Sequence, residues 1–540
     1  MALPRLTLTV PIFYVNAAPH VGHLYSALVS DVLHRWHRLK YGPSCATLLV
    51  GGTDEHGLKI QQSAAAHHKD VRLFCDENSL KFRQLFKLAN ISCNSFVRTT
   101  EERHETAVRH AWTTLQNGGL IYKGSYAGWY STADETFLSP SQLKTVDDVL
   151  VSAESGHKVE WMEEENYLFR LSDFHERIKR WLVERTPVKP GLFNQIALNW
   201  LEEGPLSDLS VSRSSQRLKW GIQVPNDSKQ IIYVWLDALM TYLTACGYPD
   251  MDRVNQFWPA NVQIIGKDIL KFHAVYWPAF LMGLGLEPPR EILCHSHWLV
   301  NHQKMSKSLG NVVDPFDRME RFTSDGFRYF LMREGVPHSD SNYSDEKLVT
   351  YLNAELANTF GNLLGRCTSK AVNAAQTIPV RPAPSDLSRT IGEEGLELLY
   401  NIDSLPATVE EYYDDYSVYK AITAVMDVLR QTNVLVQNLA PWTLAKSKAE
   451  ADKEKLQHVL FVALYALKVS GLLLSPVIPD ICGVLLSKLG ASGKTDGRTL
   501  DELLSDHANE ISLDDAKVTL FERIIDNSEA SAGAKRLKPS

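Results

Sequence analysis

The hydrophobic positions of the first sixty residues form two apolar runs separated by a periodic segment. Residues 6–14, LTLTVPIFY, are almost continuously apolar and predict a buried β-strand. Residues 46–50, ATLLV, predict a second strand. Between them, apolar side chains recur at helical spacing and predict an amphipathic helix that starts near Gly22: Leu24, Leu28, Val29, Val32, Leu33, Trp36 and Leu39. The order strand, helix, strand is typical of a parallel α/β unit.

Changes in this pattern along the remaining chain predict the domain boundaries. Residues 1–117 and 229–340 carry the α/β pattern and predict the two halves of a Rossmann-like parallel-sheet domain. Residues 118–228, with glycines, mixed aromatics and polar loops, predict a connective insertion. Residues 341–530 hold long segments of helical periodicity and predict an all-α helix bundle. The last residues, 531–540, predict a disordered tail.

Composition narrows the class of protein. A chain of 540 residues is long enough for two or three domains, and 44% hydrophobic residues can fill large cores. The 56 basic and 64 acidic residues give a net charge of -8, which argues mildly against a nucleic-acid partner, although a local basic patch would escape this sum. The seven cysteines are scattered, which fits a reducing compartment without disulfides.

Neither a membrane span nor a targeting peptide is visible in the sequence. The longest apolar runs are interrupted by Pro278 and by Lys468, before the roughly 18 residues that a spanning helix needs. The residues before the first motif are too few for a signal or transit peptide, so we expect that such a peptide was cut off or never existed.

The first chemical motif, PHVGH, follows the first predicted strand. A helix that starts at the carboxyl end of a parallel strand presents unpaired N–H groups and favours an anion. Gly22 permits close approach of a phosphate, and His20 and His23 can place ring N–H donors on one face. The pair therefore predicts a nucleotide phosphate site. Two half-exposed histidines without a ligand, or zinc ligands, are the alternatives.

The second motif, HQKMSKSLGN at residues 302–311, follows the last predicted strand. Lys304 and Lys307 stand beside small hydroxyl residues, and two ammonium groups on such a loop could stabilise the charge of departing pyrophosphate. Taken alone, the spacing of the two lysines is more typical of a solvated basic loop.

The two motifs together resemble the signature pair of class I aminoacyl-tRNA synthetases. Further segments are similar, in order, to the methionyl-tRNA synthetase family, and above all to its short mitochondrial-type branch: GTDEHGLKIQ, FVRTTEERH, NYLFRLS, YVWLDAL, IIGKDILKFHAVYWPAFL and KMSKSLGNVVDP. The resemblance implies that ATP, with Mg²⁺, activates L-methionine, which is then esterified to tRNA(Met). It also implies the mitochondrial matrix, with the cytoplasm as the alternative compartment.

The resemblance also implies the residues of the site. His20, Gly22, His23, Lys304 and Lys307 would bind ATP, and the histidines and lysines would act in catalysis. Asp54 would bind the α-amine, Ile12, Tyr14 and Trp235 the side chain, and His273 would lie near the sulfur. The remaining positions expected around methionine are Ala238, Leu239, Tyr242 and Ile269.

Residue chemistry agrees with a methionine pocket, because a thioether favours polarizable aromatic contacts in a narrow apolar slot. Ordinary core packing is the alternative for each of these aromatic residues. Asp268, in GKD, could accept a ribose hydroxyl of ATP, and Arg213 could steady nearby carboxylates, although an arginine–carboxylate pair is often purely structural.

The insertion departs from the family pattern, since many relatives carry zinc knuckles there. Here Ser131 and Asp134 stand where the first cysteines would be, and Ser152 and Ser155 where further ligands would fall. We therefore expect no structural zinc, and His157 as a surface histidine. The insertion is also too short for the editing domain of the valine, isoleucine and leucine relatives.

The helical part resembles the anticodon-binding domain of the family. Asn362 and Arg366 lie one turn apart, and Trp442 follows a proline; amide, guanidinium and indole groups suit the reading of unstacked bases. Capping, a surface charge and core packing are the alternatives. The chain ends near the end of the family core, so we expect a monomer without membrane association.

Three other functions compete with this one. A class I-like nucleotidyltransferase could activate a small molecule without tRNA, but would not need the helical extension. A non-catalytic RNA-binding paralogue should have lost an ATP-site residue. A zinc hydrolase would use His20, His23 and His56.

Overall fold

The computed structural model describes most of the chain. The described residues are 5–42, 44–131, 136–138, 143–146, 148–153, 155–305, 310–491, 497–505 and 510–525. Asp134, Lys307 and the predicted tail 531–540 therefore lie outside the described residues.

The first α/β segment alternates strands and helices. Its elements are β1 (Leu6–Thr9), β2 (Phe13–Tyr14), α1 (Val21–Tyr41), β3 (Thr47–Asp54), α2 (Leu58–Ala66), α3 (Val71–Leu88), β4 (Ser95–Arg98) and α4 (Glu102–Asn117). The single strand predicted over 6–14 is wrong, because the ladder breaks between Thr9 and Phe13. Pro11 lies in this break, where it lacks an N–H to donate and its ring fixes φ. The predicted helix start near Gly22 is confirmed.

The insertion is mostly antiparallel. Its elements are β5 (Ile121–Ser131), β6 (Thr136–Leu138), β7 (Leu143–Val146), β8 (Val149–Ser152), β9 (Glu160–Phe169), α5 (His175–Arg185), β10 (Val188–Lys189), α6 (Gly191–Glu202), β11 (Leu209–Ser210), β12 (Ser212–Ser214), β13 (Gln223–Val224) and β14 (Asp227–Ile232). Strands β11, β9, β5 and β6 form one sheet, and β7 and β8 form a hairpin. Strand β10 does not join them but pairs with the central sheet.

The second α/β segment completes that central sheet. Its elements are α7 (Val234–Leu239), α8 (Thr241–Ala245), α9 (Met251–Phe257), β15 (Val262–Gly266), α10 (Trp277–Gly283), β16 (Glu291–His295), β17 (Trp298–Val300), β18 (Gln303–Lys304), α11 (Pro315–Phe322) and α12 (Ser324–Glu334). A π-helical turn over Phe272–Tyr276 precedes α10.

The central sheet is parallel throughout, and its strands lie in the order β10, β16, β15, β1 and β3. Strands β2 and β4 both pair with β3 as well. The connection through α1 carries the chain from β1 to β3 on one side, whereas β15 pairs on the other side of β1. The strand order thus reverses between β1 and β15. In open α/β sheets ligands bind beyond the carboxyl ends of the strands at such a reversal.

The C-terminal region is a helix bundle. Its elements are β19 (Ser341–Tyr343), α13 (Asp345–Tyr351), a π-helix (Leu352–Gly361), α14 (Asn362–Thr368), β20 (Thr377–Ile378), α15 (Pro384–Asp414), α16 (Val418–Leu439), α17 (Pro441–Leu444), α18 (Glu450–Leu474), α19 (Pro479–Lys488), α20 (Leu500–Leu504) and β21 (Ile511–Ser512). Helix α15 is kinked at Gly392, whose φ is 78°.

Helix α1 ties the bundle to the sheet. Trp36 stacks on Tyr413 of α15 with 4.3 Å between ring centroids. Asp31 pairs with Arg328 of α12 at 2.7 Å, and both side chains are fully buried. Arg328 also donates to the carbonyl oxygen of Val477 at 2.7 Å, between α18 and α19. Contacts with α12 and α15 therefore hold helix α1, whose first turn follows the first two strands, in a fixed position.

Helix α18 is long and apolar enough to cross a membrane by length and composition, but 83% of its most apolar window is buried inside the protein. The expectation that Lys468 interrupts this apolar segment is wrong. Lys468 is itself 5% exposed and lies within the helix. Such burial is what the central helix of a bundle shows.

Candidate active site

A cavity of about 820 Å³ opens where the strand order reverses, beyond β1, β15 and β16. It brings together all the residues predicted for ATP and methionine that the structure describes. These lining residues are Ile12, Tyr14, His20, Gly22, His23, Asp54, Trp235, Ala238, Leu239, Tyr242, Asp268, Ile269, His273 and Lys304. Lys307, the second predicted lysine, lies outside the described residues.

The two histidines cap the first turn of α1. The Nδ1 atom of His20 accepts a hydrogen bond from the backbone N–H of Gly22, and the Nδ1 atom of His23 accepts one from the backbone N–H of His20, both at 3.1 Å. Because each Nδ1 is an acceptor, the ring proton of a neutral imidazole lies on Nε2. The two rings stack with 3.8 Å between centroids, and both residues line the same cavity.

The surroundings of His23 keep it neutral. Burial, together with the neighbouring His20, lowers the pKa of His23 well below 6.5, although the Asp268 carboxylate acts in the opposite direction. Gly22 also has a local structural role beside the predicted approach of a phosphate, because a Cβ atom there would lie 2.9 Å from Cε1 of His20. The glycine therefore makes room for the imidazole ring.

Asp268 follows β15, and its carboxylate opens into the cavity. Its Oδ1 lies 3.4 Å from Nε2 of His297, beyond the end of β16. Burial opposes the ionised carboxylate, but the contact with His297 and the positive charge of Lys304 outweigh it, so the pKa of Asp268 is lowered. Asp268 is thus an ionised acceptor between the histidine and lysine elements.

Lys304 reaches the cavity from the hairpin of β17 and β18. Asn301 and His302, at its tip, both have positive φ, 51° and 59°. Two residues of this conformation make a tight turn that matches the twist of the strands and reverses the chain. The last strand therefore sends Lys304 back over the carboxyl ends of β15 and β16.

An aromatic group forms the apolar end of the cavity. Trp235 of α7 stacks on Phe272 with 3.6 Å between centroids. The Nδ1–H of His273 donates to the carbonyl oxygen of Ile269 at 3.0 Å, which leaves Nε2 to accept from the Tyr242 hydroxyl at 2.8 Å. Burial lowers the pKa of His273 to about 4, so it is neutral near pH 7. A neutral, largely apolar slot of this kind suits a thioether.

Asp54 lies at the end of β3, at the boundary between this apolar end and the histidines. Its side chain is 8% exposed, and its Oδ1 accepts a hydrogen bond from the backbone N–H of His56 at 3.4 Å. A nearly buried carboxylate at the edge of an apolar slot is suited to bind an ammonium group. Arg213, predicted to steady carboxylates, donates to Ser210 and stacks over Tyr233, with Cζ 4.5 Å from the ring centroid.

Sequence reasoning missed the two histidines at the carboxyl end of β16, His295 within the strand and His297 just beyond it. His297 contacts Asp268, and His295 forms a 2.7 Å hydrogen bond with the Ser26 hydroxyl on α1. Both histidines line the cavity. The signal was available, because the segment CHSHW follows an apolar strand, and polar residues at the carboxyl ends of parallel strands meet at one edge of the sheet.

The insertion borders the cavity. Ser152, Ser155 and His157 line its rim, and His157 is exposed, as predicted. Within the described ranges, histidine, cysteine, aspartate and glutamate side chains form no group of three that could hold a metal ion. In particular, the Nδ1 atom of His56 contacts Asp237 at 2.7 Å and does not converge with His20 and His23.

The three predicted anticodon residues lie on the bundle. Asn362 and Arg366 occupy the exposed face of α14, one turn apart. Trp442 lies in α17, partly buried against the bundle core. Their side chains offer an amide, a guanidinium and an aromatic ring outside the cavity.

A parallel sheet that gathers a histidine pair, an aspartate and a lysine hairpin at its strand reversal, with a helix bundle behind it, defines a class I aminoacyl-tRNA synthetase. Residues 6–368 match the family model described as "tRNA synthetases class I (M)", and residues 386–536 match "Anticodon binding domain of methionyl tRNA ligase". The chain belongs to the methionyl-tRNA synthetase family.

Curated relatives and solved structures agree. The chain is 50% identical over 513 residues to human mitochondrial methionine–tRNA ligase, across 92% of this chain and 86% of that protein. It is 52% identical over 493 residues to the corresponding protein of Takifugu rubripes, across 89% and 82% of the two chains. The structure of Mycobacterium tuberculosis methionyl-tRNA synthetase in complex with methionyl-adenylate is similar, with a TM-score of 0.90, 35% identity and coverage of 96% and 100%. The activity of this chain is that of a methionine–tRNA ligase.

Proposed function

We propose that the cavity carries both steps of methionyl-tRNA synthesis. In the first, the carboxylate of L-methionine attacks the α-phosphate of ATP, which forms methionyl-adenylate and releases pyrophosphate. In the second, the terminal adenosine hydroxyl of tRNA(Met) attacks the adenylate and releases AMP. The observation that carries this proposal is that one cavity joins the histidine pair, Asp268 and Lys304 to the Asp54 carboxylate and the apolar slot.

The phosphate end uses fixed donors. The Nε2–H groups of His20 and His23 and the ammonium of Lys304 would stabilise the charge that develops on the α-phosphate and the departing pyrophosphate. Lys307 would add a second ammonium group. Because the chain needs no nucleophile of its own, positioning and electrostatics supply the acceleration.

Mg²⁺ fits this site as a companion of ATP. Magnesium commonly takes most of its ligands from phosphates and water and only one or two from carboxylates, so the triphosphate and water could supply its ligands here while the Asp268 carboxylate stays available for the ribose. Bound there, the ion would neutralise phosphate charge.

The methionine end divides its work between charge and shape. The carboxylate of Asp54 would bind the α-ammonium, and Trp235 with Ile12 and Tyr14 would enclose the side chain. His273, held neutral by burial, would lie near the sulfur, with Ala238, Leu239, Tyr242 and Ile269 completing the slot. The Asp268 carboxylate, paired with His297, would accept a ribose hydroxyl of the adenosine.

The bundle would select the tRNA. Arg366 and Asn362, exposed one turn apart on α14, can hydrogen-bond to base edges, and Trp442 can stack on an unpaired base. We assign 1–117 and 229–340 to the catalytic domain, 118–228 to a zinc-less connective insertion and 341–530 to anticodon binding. The inclusion of β10 in the catalytic sheet means that the insertion returns to that sheet before it ends.

Compartment and assembly follow from the same comparison. The curated relatives from human and Takifugu rubripes are mitochondrial enzymes, which supports a role in the mitochondrial matrix. One chain supplies both the cavity and the bundle, so a monomer suffices for the reaction; sedimentation of the purified protein measures this.

Two assays test the proposal. The first measures the exchange of pyrophosphate into ATP with each of the twenty amino acids in turn. The second measures the charging of initiator and elongator tRNA(Met). We expect that methionine is the only one of the twenty amino acids that supports exchange, and that it is transferred to both tRNAs. Exchange without any charging would favour a nucleotidyltransferase that activates a small molecule. Failure of methionine to support exchange would refute the proposal.

A further inference from the structure

Behind the cavity, three buried titratable side chains form a cluster that the proposed mechanism does not use. Asp237 of α7 contacts Nδ1 of His56 through Oδ2 and Nε2 of His104 through Oδ1, both at 2.7 Å. The exposed fractions of Asp237, His56 and His104 are 1%, 5% and 0%. None of the three lines the cavity, so any effect on the reaction must pass through another residue.

The cluster joins the two parts of the proposed methionine site. Asp237 belongs to the same short helix as Trp235 and Ala238, which line the apolar slot. His56 comes two residues after Asp54, and its backbone N–H donates to the Asp54 carboxylate at 3.4 Å. The part of the slot on α7 and the amine-binding carboxylate come from opposite halves of the catalytic domain, and Asp237 links them through His56.

The far side of the cluster is anchored as well. His104, on α4, contacts the Thr244 hydroxyl of α8 through Nδ1 at 3.0 Å. Burial opposes ionisation of Asp237, but the two histidines outweigh it and lower its pKa, so the carboxylate is ionised near neutral pH. A buried carboxylate whose two oxygens both accept short hydrogen bonds holds its partners firmly, because the loss of either partner would leave the charge of the carboxylate uncompensated.

We propose that Asp237 is a positioning residue. Through His56 it holds the Asp54 carboxylate at a fixed position relative to the slot on α7, so that this carboxylate can recognise the α-ammonium of methionine. The inference rests on the proposed role of Asp54. It follows that loss of the Asp237 charge should weaken recognition of the amine and leave recognition of the thioether side chain intact.

Three unreactive alcohols separate these two effects when they are used as competitive inhibitors of pyrophosphate exchange. L-Methioninol and 4-(methylthio)butan-1-ol differ only in the amine, so the ratio of their inhibition constants measures amine recognition. L-Methioninol and L-norleucinol differ only in the sulfur, so their ratio measures side-chain recognition. The full chain is used, and folding of each variant is checked by thermal unfolding.

For Asp237→Asn we expect the amine ratio to fall about tenfold, with the side-chain ratio unchanged. His104→Gln, which weakens the anchor of Asp237 but keeps its contact with His56, should lower the amine ratio less. If Asp237→Asn does not fold, His56→Gln supplies the same test. Asp31→Asn is the matched control, since it alters a buried, paired carboxylate on α1 outside the cluster, and both ratios should stay at their wild-type values.

Three outcomes would overturn the inference. A parallel fall of both ratios in the cluster variants would mean that Asp237 supports the fold and not the amine site. An unchanged amine ratio in Asp237→Asn, while Asp54→Asn lowers it, would disprove the link and leave the role of Asp54 standing. If Asp54→Asn itself leaves the amine ratio unchanged, the proposed function of Asp54 fails, and the inference with it.

Discussion

The rings of His20 and His23 stack at 3.8 Å, and each accepts a backbone N–H through Nδ1 at the start of α1. The helix terminus thus fixes the tautomer of both rings and the direction of both Nε2–H groups. The same first turn would otherwise leave its N–H groups unpaired. We therefore infer that one arrangement serves both the capping of α1 and the proposed binding of phosphate, in which each histidine pairs with the backbone through Nδ1 and would present Nε2–H to the ligand.

This arrangement predicts a large effect of one methyl group at Gly22. In Gly22→Ala, the added Cβ would lie 2.9 Å from Cε1 of His20 and displace the ring. Because a displacement of about 1 Å can cost roughly 100-fold in rate, we expect pyrophosphate exchange to slow by about that factor. The affinity for methionine, measured by equilibrium binding, should hardly change.

The control for this variant is Gly483→Ala, on the exposed face of α19, where an added Cβ meets no atom within 4 Å. Alanine in a helix interior is favoured over glycine by about 1 kcal/mol, so this variant should be slightly more stable and fully active. Equal loss of exchange in both variants would contradict the stated role of Gly22.

The periodicity of the apolar residues and the polar residues at strand ends predicted the site residues that belong to the two motifs. His20 follows strands that are recognisable from their apolar residues, and parallel strands bring their carboxyl ends to one edge. Lys304 follows the apolar segment of β17, and an antiparallel hairpin brings it to the same cavity. Helix α1 was predicted because its apolar side chains keep a regular spacing over about four turns. Roles such as that of Asp54 in binding the amine were assigned from the resemblance to a family and not from periodicity.

The features that sequence could not give depend on tertiary packing. His104 lies on a polar-looking helix, and nothing local shows that its ring meets Asp237 from another half of the domain. The break at Pro11 was hidden by uniformly apolar neighbours. Lys468 suggested a polar interruption, yet its helix remains buried because the long aliphatic part of a lysine side chain can be enclosed.

The proposed anticodon surface predicts a separation of the two reaction steps. In Trp442→Ala and Arg366→Ala, loss of stacking or base-edge contact should raise the KM for tRNA by roughly 5- to 150-fold, since such contacts are worth about 1–3 kcal/mol. Exchange of pyrophosphate should be unchanged, because both residues lie outside the cavity. A loss of exchange together with charging would show that these residues support the fold instead.

The buried pair of Asp31 and Arg328 predicts a strong effect on stability. Arg328→Met would leave the Asp31 carboxylate buried without that partner, which typically costs about 3–5 kcal/mol. We therefore expect a clearly lower urea midpoint. Lys453→Met, which removes an exposed pair with Glu450, should leave the midpoint unchanged. Similar midpoints for wild type and Arg328→Met would show that the pair contributes little to the joining of α1 and the bundle.

Asp325 predicts a specific pH dependence of stability. Its carboxylate is buried where α12 meets α19, and one oxygen accepts the N–H of Ile481 at 2.7 Å. Burial raises the pKa of Asp325 from 3.8 to about 6, against the opposing effects of the Ile481 N–H and Arg328. The folded chain therefore binds this proton more tightly than the unfolded chain, and the resulting stabilisation, present below pH 3.8, is lost as the pH rises to about 6.

The isosteric variant Asp325→Asn removes this proton and keeps an acceptor for Ile481. Between pH 4.5 and pH 7, its unfolding free energy should fall by less than that of the wild type, with a difference of up to about 2 kcal/mol. Urea unfolding at both pH values measures this. Identical pH dependence in the two proteins would mean that Asp325 titrates normally in the folded chain.

The central claim is that the histidine pair and the lysine hairpin act on the same triphosphate. Methionine-dependent pyrophosphate exchange in His20→Ala, Lys304→Ala and the double variant, alongside equilibrium binding of methionine, tests it most directly. We predict that each single change slows exchange by roughly 100-fold, that the double variant loses less than the product of the two, and that methionine binding is preserved. Exchange that is unaffected by Lys304→Ala, or single losses that multiply without coupling, would contradict the claim.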